Sequence, residues 1–127
     1  MKEYVKGVQH IGLPVKDYDA SCAFYKKLDF SCVYETKQPN EGKVGFFQLG
    51  NLMMEIYEAE ETAGIDGAID HIALDCADIE AAYEEAGCKN LPILTDGIME
   101  LPYWDKGIKY FHVEGPDGEK IEFCQKL

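Results

Sequence analysis

Apolar and polar residues alternate along residues 7–15, a pattern typical of a half-buried β-strand. The apolar members of this strand share one face: Ile11, Leu13 and Val15. His10 and Gly12 therefore point to the opposite face. A helix is predicted next, because Asp17 is a residue type favoured at helix N-termini and apolar residues then recur every four positions. These helical positions are Ala20, Phe24 and Leu28.

Three further strands are predicted at 31–36, 45–49 and 52–57. Gly50-Asn51, between the last two, is a dipeptide typical of a tight hairpin turn. The segment 59–67 is acidic and interrupted by glycine, which predicts a linker. The first part of the chain is therefore expected to run strand, helix and three strands.

The rest of the chain repeats this pattern. The stretch 69–86 resembles 8–25, and the last strands of the two halves also match. The aligned residues of most interest are His10 with His71, Asp17 with Asp78, and Glu55 with Glu122. Because the matches occur at both ends of both halves, they indicate two copies of one structural module.

The second copy is expected to use the same elements. A strand at 68–76 precedes a helix that Asp78 begins and that continues to Ala86, with Gly87 as its stop. The stretch 91–101 is expected to be extended but interrupted by Pro92 and Gly97, and strands are predicted at 108–113 and 119–125, joined by the turn Gly115-Pro-Asp-Gly118.

We therefore predict an α+β fold built from two tandem βαβββ modules, in which each helix covers the apolar face of its half-sheet. The chain is expected to form one domain, 1–127, with module 1 at about 5–58, the linker at about 59–67 and module 2 at about 68–127. The half-sheets are expected to curl towards each other into a cup.

Four polar residues lie on the strand faces that point away from the helices. Glu55 and Glu122 each lie between two apolar neighbours, and His10 and His71 each precede a run in which apolar residues alternate. The strand period of two places the polar residue opposite these apolar positions. The four are His10, Glu55, His71 and Glu122. Each one alone would be an ordinary surface residue, but an ionised Glu in an apolar strand is costly unless it is solvated, paired or bound to a metal. Their equivalence across the repeat favours a divalent metal site inside the cup.

The composition narrows the class of ligand. Twenty-four acidic residues against twelve basic ones give a net charge of −12, which repels nucleic acid and anionic membranes. All twelve basic residues are Lys, so an anionic substrate group is held without the guanidinium fork of Arg. Five cysteines without a C-x-x-C pair favour reduced thiols in a cytoplasmic protein. No apolar run is long enough to span a membrane, and residues 1–10 lack a signal-peptide core. Because the charge also disfavours nucleic acid and anionic membranes as partners, we expect a small-molecule substrate.

The paired modules resemble the vicinal oxygen chelate superfamily, which includes glyoxalase I, methylmalonyl-CoA epimerase, extradiol dioxygenases and bleomycin- or fosfomycin-resistance proteins. The resemblance rests on His10 in VQHIGLPV, Glu55 in MMEIY, His71 in IDHIAL and Glu122 in GPDGEKIEF. The complete His/Glu/His/Glu set is most similar to bacterial glyoxalase I. It implies a homodimer with one divalent metal per site, with Ni²⁺ or Co²⁺ favoured over Zn²⁺ because the site would be six-coordinate.

The resemblance also implies a reaction, the detoxification of methylglyoxal. A 2-oxoaldehyde–thiol hemithioacetal would be isomerised to a 2-hydroxyacyl thioester through a metal-bound enediolate. Glu122 would act as the base, and Glu55 would be its counterpart on the other side of the metal. Proteins of this type usually hold glutathione with an Arg and an Asn, but Pro14 and Ala59 occupy those positions here. A different thiol or a different substrate is therefore expected.

Other members of the superfamily remain alternatives. An epimerase would have to bind the phosphates of coenzyme A, and a fosfomycin-type transferase would have to bind a phosphonate, with lysines alone. An extradiol dioxygenase needs only two His and one carboxylate. A non-catalytic protein that sequesters a drug would instead need an aromatic pocket, for which the candidates are Phe47, Tyr57, Tyr103 and Trp104. His112 lies outside the repeated pattern and is interpreted as an ordinary strand residue.

Overall fold

The computed structural model describes residues 3, 4 and 6–127. They form two compact units, Met1–Thr62 (unit 1) and Ala63–Leu127 (unit 2). Each unit contains one helix and one open sheet of four strands, which confirms the predicted α+β fold of two βαβββ modules. Among the described residues, no helix has the length and apolar character needed to cross a membrane.

Unit 1 begins with β1 and ends with β4. Its elements are β1 (Ile11–Val15), α1 (Tyr18–Lys27), β2 (Ser31–Lys37), β3 (Lys43–Leu49) and β4 (Leu52–Glu58). The strands lie in the order β1-β4-β3-β2. β1 is parallel to β4, and the other neighbours are antiparallel. This order places the first strand of the module beside the last strand, which carries Glu55.

Unit 2 repeats the arrangement. Its elements are β5 (His71–Asp75), α2 (Ile79–Cys88), β6 (Met99–Leu101), β7 (Ile108–Glu114) and β8 (Lys120–Lys126). The order is β5-β8-β7-β6, with β5 parallel to β8. The predicted turn between the last two strands is confirmed: the amide of Gly118 donates to the carbonyl of Gly115 at 3.1 Å.

Both helices begin as the sequence predicts. The Asp17 carboxylate accepts from the amide of Ala20 at 2.9 Å, and the Asp78 carboxylate accepts from that of Ala81 at 3.0 Å. The sequence predicts that α2 ends at Gly87, but the helix continues through Cys88. The left-handed residue beyond its end is Asn90, with φ 52°, a conformation that Asn tolerates well.

Three strand predictions differ from the structure in extent. β1 begins at Ile11 rather than at residue 7, and β5 begins at His71 rather than at 68, where pairing with the neighbouring parallel strand starts. The predicted extended stretch 91–101 is a regular strand only at Met99–Leu101. Pro92 has no amide to donate, and near it Ile93 forms only an isolated bridge to Val113.

Each unit has an apolar core between its helix and its sheet. The fully buried side chains of unit 1 are Val15, Tyr25, Phe47, Met54 and Ile56, and those of unit 2 are Ile79, Phe111 and Val113. In β4, Glu55 lies between the buried Met54 and Ile56, and in β8, Glu122 lies between the buried Ile121 and the half-buried Phe123. The alternation therefore directs Glu55 and Glu122 to the sheet faces that the helices do not cover.

Candidate metal centre

Unit 1 brings its two predicted ligands into contact. The imidazole Nε2 of His10 lies 3.2 Å from Glu55 Oε2. The parallel register places Gly12 opposite Glu55, and a Cβ at Gly12 would lie 3.6 Å from the Glu55 oxygen. This is an ordinary van der Waals distance, so the Glu55 carboxylate lies beside Gly12 and an alanine would also fit there. The other ring nitrogen of His10, Nδ1, contacts the side-chain oxygen of Gln9, and Phe46 meets the ring edge-on.

Unit 2 holds the equivalent pair. His71 Nε2 lies 3.7 Å from Glu122 Oε2, with Ala73 at the register position that Gly12 occupies in unit 1. His71 Nδ1 lies 2.7 Å from Asp70 Oδ2, and Lys120 donates to the same carboxylate at 3.0 Å. The hydrogen bond with His71, and then that with Lys120, lower the pKa of Asp70 to about 2. Asp70 is therefore an anion that can only accept.

These hydrogen bonds show that the residues present fit a divalent cation. Because the Asp70 carboxylate accepts from Nδ1, the neutral ring of His71 carries its proton there and turns the Nε2 lone pair towards Glu122. A lone pair and a carboxylate oxygen that face each other require either a proton on the ring or a cation between them. His10 has the same arrangement, with the Gln9 oxygen as the acceptor.

Each unit supplies one half of the predicted ligand set. Among the described residues, no group of three or more His, Cys, Asp and Glu side chains is close enough to hold a metal ion. A complete centre would therefore need ligands from both pairs, as the four-residue prediction requires. That four-residue site, and the cup around it, stay predictions.

The sequence interpretation of His112 missed a contact with the site. Its Nε2 lies 2.8 Å from Glu122 Oε2, and its ring centroid lies 5.8 Å from that of His71. His112 in β7 and Glu122 in β8 are direct cross-strand partners. The hairpin offered a signal for this contact. Gly115 and Glu119 pair across the turn, and counting away from the turn along both strands pairs His112 with Glu122.

The two aromatic residues of unit 1 that were predicted to line a pocket, Phe47 and Tyr57, lie in different environments. Tyr57 shares the Glu55 face, since a Cβ at Gly12 would contact both side chains. Phe47 is only 1% exposed and belongs to the core. The aromatic residue opposite Glu55 in the sheet is its neighbour, Phe46. Phe46, rather than the predicted Phe47, therefore lies beside the His10–Glu55 pair.

Tyr103 and Trp104 lie in the exposed loop between β6 and β7. The Lys126 Nζ is 4.4 Å from the centroid of the Trp104 ring, a cation–π contact. A cleft of about 420 Å³ at this loop is lined by residues 100–102, 104–108 and 127, so neither His71 nor Glu122 borders it. The pocket role of these two aromatic residues stays a prediction.

The positions that usually hold glutathione in glyoxalase I offer no charge here. Pro14 lies within β1 opposite Tyr57. The amide of Ala59 donates to the carbonyl of Val15 at 2.9 Å, so this residue continues the pairing of β1 with β4. Neither residue can clamp a carboxylate through its side chain.

Cys124 lies two positions after Glu122, on the same face of β8. Burial, followed by the negative charge of Glu122, raises the pKa of the Cys124 thiol above its ordinary value. The five cysteines, all within the described residues, are free thiols. Cys124 is therefore a protonated neighbour of the carboxylate rather than a thiolate nucleophile.

The chain is similar to proteins of one large superfamily. The family model described as Glyoxalase/Bleomycin resistance protein/Dioxygenase superfamily matches residues 7–123. The uncharacterized protein YwbC of Bacillus subtilis (strain 168) is 33% identical over 129 residues, which cover 95% of this chain and 98% of YwbC.

Solved structures share the fold. A glyoxalase family protein from Enterococcus faecalis has a TM-score of 0.78 and 21% identity, with 95% of this chain and 98% of that one covered. The fosfomycin resistance protein FosX from Listeria monocytogenes, solved with Mn(II) and a sulfate ion, has a TM-score of 0.73 and 17% identity, with 97% and 94% covered. Because the match at 7–123 spans both repeats and both His–Glu pairs, the chain belongs to the glyoxalase/bleomycin resistance protein/dioxygenase superfamily.

Proposed function

We propose that this protein is a divalent-metal-dependent lyase of glyoxalase I type. It would convert the hemithioacetal of a 2-oxoaldehyde, such as methylglyoxal, and a thiol into a 2-hydroxyacyl thioester. The observation that carries the proposal is the repeated His–Glu pair, with Nε2 facing a carboxylate oxygen at 3.2 Å in unit 1 and at 3.7 Å in unit 2. A shared fold alone would not require this set, and two imidazoles with two carboxylates are donors that suit a divalent cation, which supports metal-assisted proton transfer.

The four residues His10, Glu55, His71 and Glu122 would hold the cation. When bound, a divalent cation would supply Lewis-acid stabilisation of negative charge on two adjacent substrate oxygens. Nitrogen and carboxylate donors suit Ni²⁺ and Co²⁺, which are favoured, and also Zn²⁺ and Mn²⁺. The related FosX structure was solved with Mn(II), and that observation concerns FosX itself.

Glu122 is proposed as the base. Its carboxylate would take the proton from the carbon that bears the hydroxyl and the sulfur, and would return it to the adjacent carbonyl carbon. The hydroxyl proton passes to the oxygen of the former carbonyl, so one C–H and one O–H bond break and one of each forms, and the isomerisation needs no oxidant or reductant. The Glu122 side chain is 13% exposed against 29% for Glu55, so less water competes for its oxygens.

We expect the thiol of the substrate to be one that the protein can bind without guanidinium groups. The sequence contains no Arg, and its net charge is −12. Pro14 and Ala59 offer no side-chain charge where glutathione is usually held. Lysines and backbone amides are therefore the available partners for an anionic thiol.

Metal content tests the centre directly. Elemental analysis of protein purified without chelator or His-tag is expected to find about one divalent metal per chain. His10→Ala and His71→Ala, one from each pair, should each lose most of it. Lys37→Ala is the control, because Lys37 contacts only the exposed Glu41 in the ion pairs of the described residues. If the native protein neither contains metal nor takes up Ni²⁺, Co²⁺ or Zn²⁺, the lyase proposal is wrong, and a non-catalytic small-molecule binding protein of the same fold becomes the better account.

Activity tests the reaction. Methylglyoxal is mixed with a panel of thiols, and thioester formation is followed by absorbance. Turnover is expected with at least one thiol, should stop on removal of metal by a chelator, and should return when metal is restored. Metal binding without turnover on any thiol would place the protein with another reaction of the superfamily, such as epimerisation of a coenzyme A thioester.

We also propose that the protein acts as a homodimer. Sedimentation equilibrium is then expected to give a single species with the mass of two chains. Mixing inactive His10→Ala and His71→Ala proteins would then show how the two pairs combine. If ligands come from two copies, random reassortment restores up to about a quarter of the wild-type activity, because half of the dimers have one intact site. If all four ligands come from one chain, the mixture stays inactive.

A further inference from the structure

We infer that His112 is a positioning residue for Glu122, a role that depends on the proposed metal site and that Phe46, at the equivalent position of unit 1, cannot have. The contact that carries the inference joins His112 Nε2 and Glu122 Oε2 at 2.8 Å. Both side chains are largely shielded, at 19% and 13% exposed, so this hydrogen bond is less weakened by water than one at the surface.

The backbone of His112 is fixed on both sides. Its carbonyl accepts from the amide of Leu94 at 2.9 Å, and its amide donates to the Thr95 hydroxyl at 3.4 Å. The ring itself lies between two other rings, with centroids 5.1 Å from Tyr110 and 5.8 Å from His71. These contacts restrict the imidazole before any ligand binds, which is the condition for orienting another side chain.

Unit 1 provides an internal comparison. The residue that pairs with Glu55 across the sheet is Phe46, at the position that His112 has opposite Glu122. Phe46 has an apolar ring and cannot donate a hydrogen bond to the carboxylate. The two glutamates of the repeat are therefore not equivalent: Glu122 is held through Oε2, and its other oxygen can receive the proton in the proposed reaction without loss of the hydrogen bond.

The contact also predicts which nitrogen of His112 carries the proton. A carboxylate only accepts, so the neutral ring must be protonated on Nε2 to donate to Glu122. Ring ¹⁵N chemical shifts of the metal-free protein distinguish this tautomer from the Nδ1–H form. The Nε2–H tautomer is expected, and the Nδ1–H tautomer would overturn the inference. This readout does not require metal or activity.

Variants at the same position test the positioning role. His112→Phe introduces the residue type of unit 1, and His112→Gln supplies an amide donor in place of Nε2–H. Co²⁺ titration followed by visible absorption is expected to show affinity about 10- to 100-fold weaker for His112→Phe, with an altered spectrum and unchanged stoichiometry. His112→Gln should recover most of the affinity. Phe46→Leu is the matched control in unit 1 and should change the affinity less than about threefold, because that ring makes no hydrogen bond to Glu55.

Three outcomes contradict the inference. An unchanged Co²⁺ affinity and spectrum in His112→Phe would show that the hydrogen bond does not orient Glu122. A loss of metal stoichiometry in both His112→Phe and His112→Gln, with unfolding midpoints near that of the wild type, would make His112 a ligand instead. Failure of His112→Gln to recover affinity would point to packing. If the wild-type protein binds no metal, the proposed function fails, and the tautomer of the metal-free protein still decides between a donor and a non-donor at His112.

Discussion

The two units solve the same packing problem with opposite choices of side-chain size. In unit 1, Tyr18 at the start of α1 lies over Gly45 of β3, and its hydroxyl donates to Glu35 at 2.8 Å. In unit 2, the corresponding positions hold Ile79 and Phe111, and both are fully buried. A large residue on the helix meets a glycine on the sheet in unit 1, whereas in unit 2 the sheet position holds the large Phe111 and the helix position holds Ile79. The volume between helix and sheet is thus filled in both, which lets one backbone plan tolerate different sequences.

On the opposite face of the sheets, the difference concerns charge rather than volume. His10 in unit 1 has the neutral Gln9 behind it and the apolar Phe46 beside it. In unit 2, the corresponding positions hold Asp70 and His112, one ionised and one able to donate a hydrogen bond. Both units thus contain a His–Glu pair, and the pair of unit 2 is flanked by an ionised carboxylate and by a second histidine, whereas that of unit 1 is flanked by a neutral amide and a phenyl ring.

The largest expected effect distinguishes the two glutamates. Glu122→Gln should lower kcat by about 10²- to 10⁴-fold at saturating metal, because it removes the proposed base. Glu55→Gln removes a ligand only, so its loss of kcat should be at least about tenfold smaller. Initial rates with the most active thiol measure both. Equal losses, or a greater loss in Glu55→Gln, would assign the base to unit 1.

A smaller effect is expected behind the histidines. Asp70→Asn keeps an oxygen acceptor for His71 but removes the negative charge, and should weaken metal affinity by about tenfold. Gln9→Ala removes a neutral group behind His10 and should weaken it by no more than about threefold. Because the pKa of Asp70 is about 2, its charge is present throughout an assay between pH 6 and 8. Isothermal titration measures the metal Kd of both variants. Equal values would show that the charge difference between Asp70 and Gln9 has no effect on metal affinity.

The sequence located the elements and the two His–Glu pairs because both depend on local pattern. Alternation around Glu55 and Glu122 shows which way each side chain points, whatever the neighbouring strand does. The partner of Glu122 across the sheet depends instead on register, which a single extra residue alters, as the irregularity between Cys32 and Tyr34 in β2 shows. The contact between His112 and Glu122 was therefore missed, although counting from the Gly115–Gly118 turn leads to this pairing. The exchange of size between helix and sheet was missed for the same reason, because it joins residues far apart in the sequence.

Gly45 offers a test of that exchange. A Cβ there would collide with the Tyr18 hydroxyl and lie 2.9 Å from Phe47 Cε2, so Gly45→Ala should destabilise the protein by about 1–3 kcal/mol. Tyr18→Phe removes the colliding oxygen. The cost of Gly45→Ala should therefore be smaller by at least about 1 kcal/mol when it is introduced into Tyr18→Phe. Urea unfolding of the four proteins in this cycle measures the coupling, and additive effects would contradict the contact between the two residues.

The smallest expected effect asks whether the two units unfold together. Asp17 and Asp78 cap equivalent helices with equivalent hydrogen bonds, so replacing either with Ala should cost about 1 kcal/mol. Asn at either position keeps the acceptor and should cost less than about 0.5 kcal/mol, which separates the hydrogen bond from the charge.

Neither unit alone has the length of a typical domain, and we predict one cooperative domain. Asp17→Ala and Asp78→Ala should then lower the midpoint of the same thermal transition by about 3–5 °C each. Calorimetry should find the van't Hoff and calorimetric enthalpies equal in the wild type and in both variants. If the units unfold independently, two transitions appear and each substitution moves only its own. That result would make the chain two domains, and the differences in packing between the units would then have arisen under separate requirements for stability.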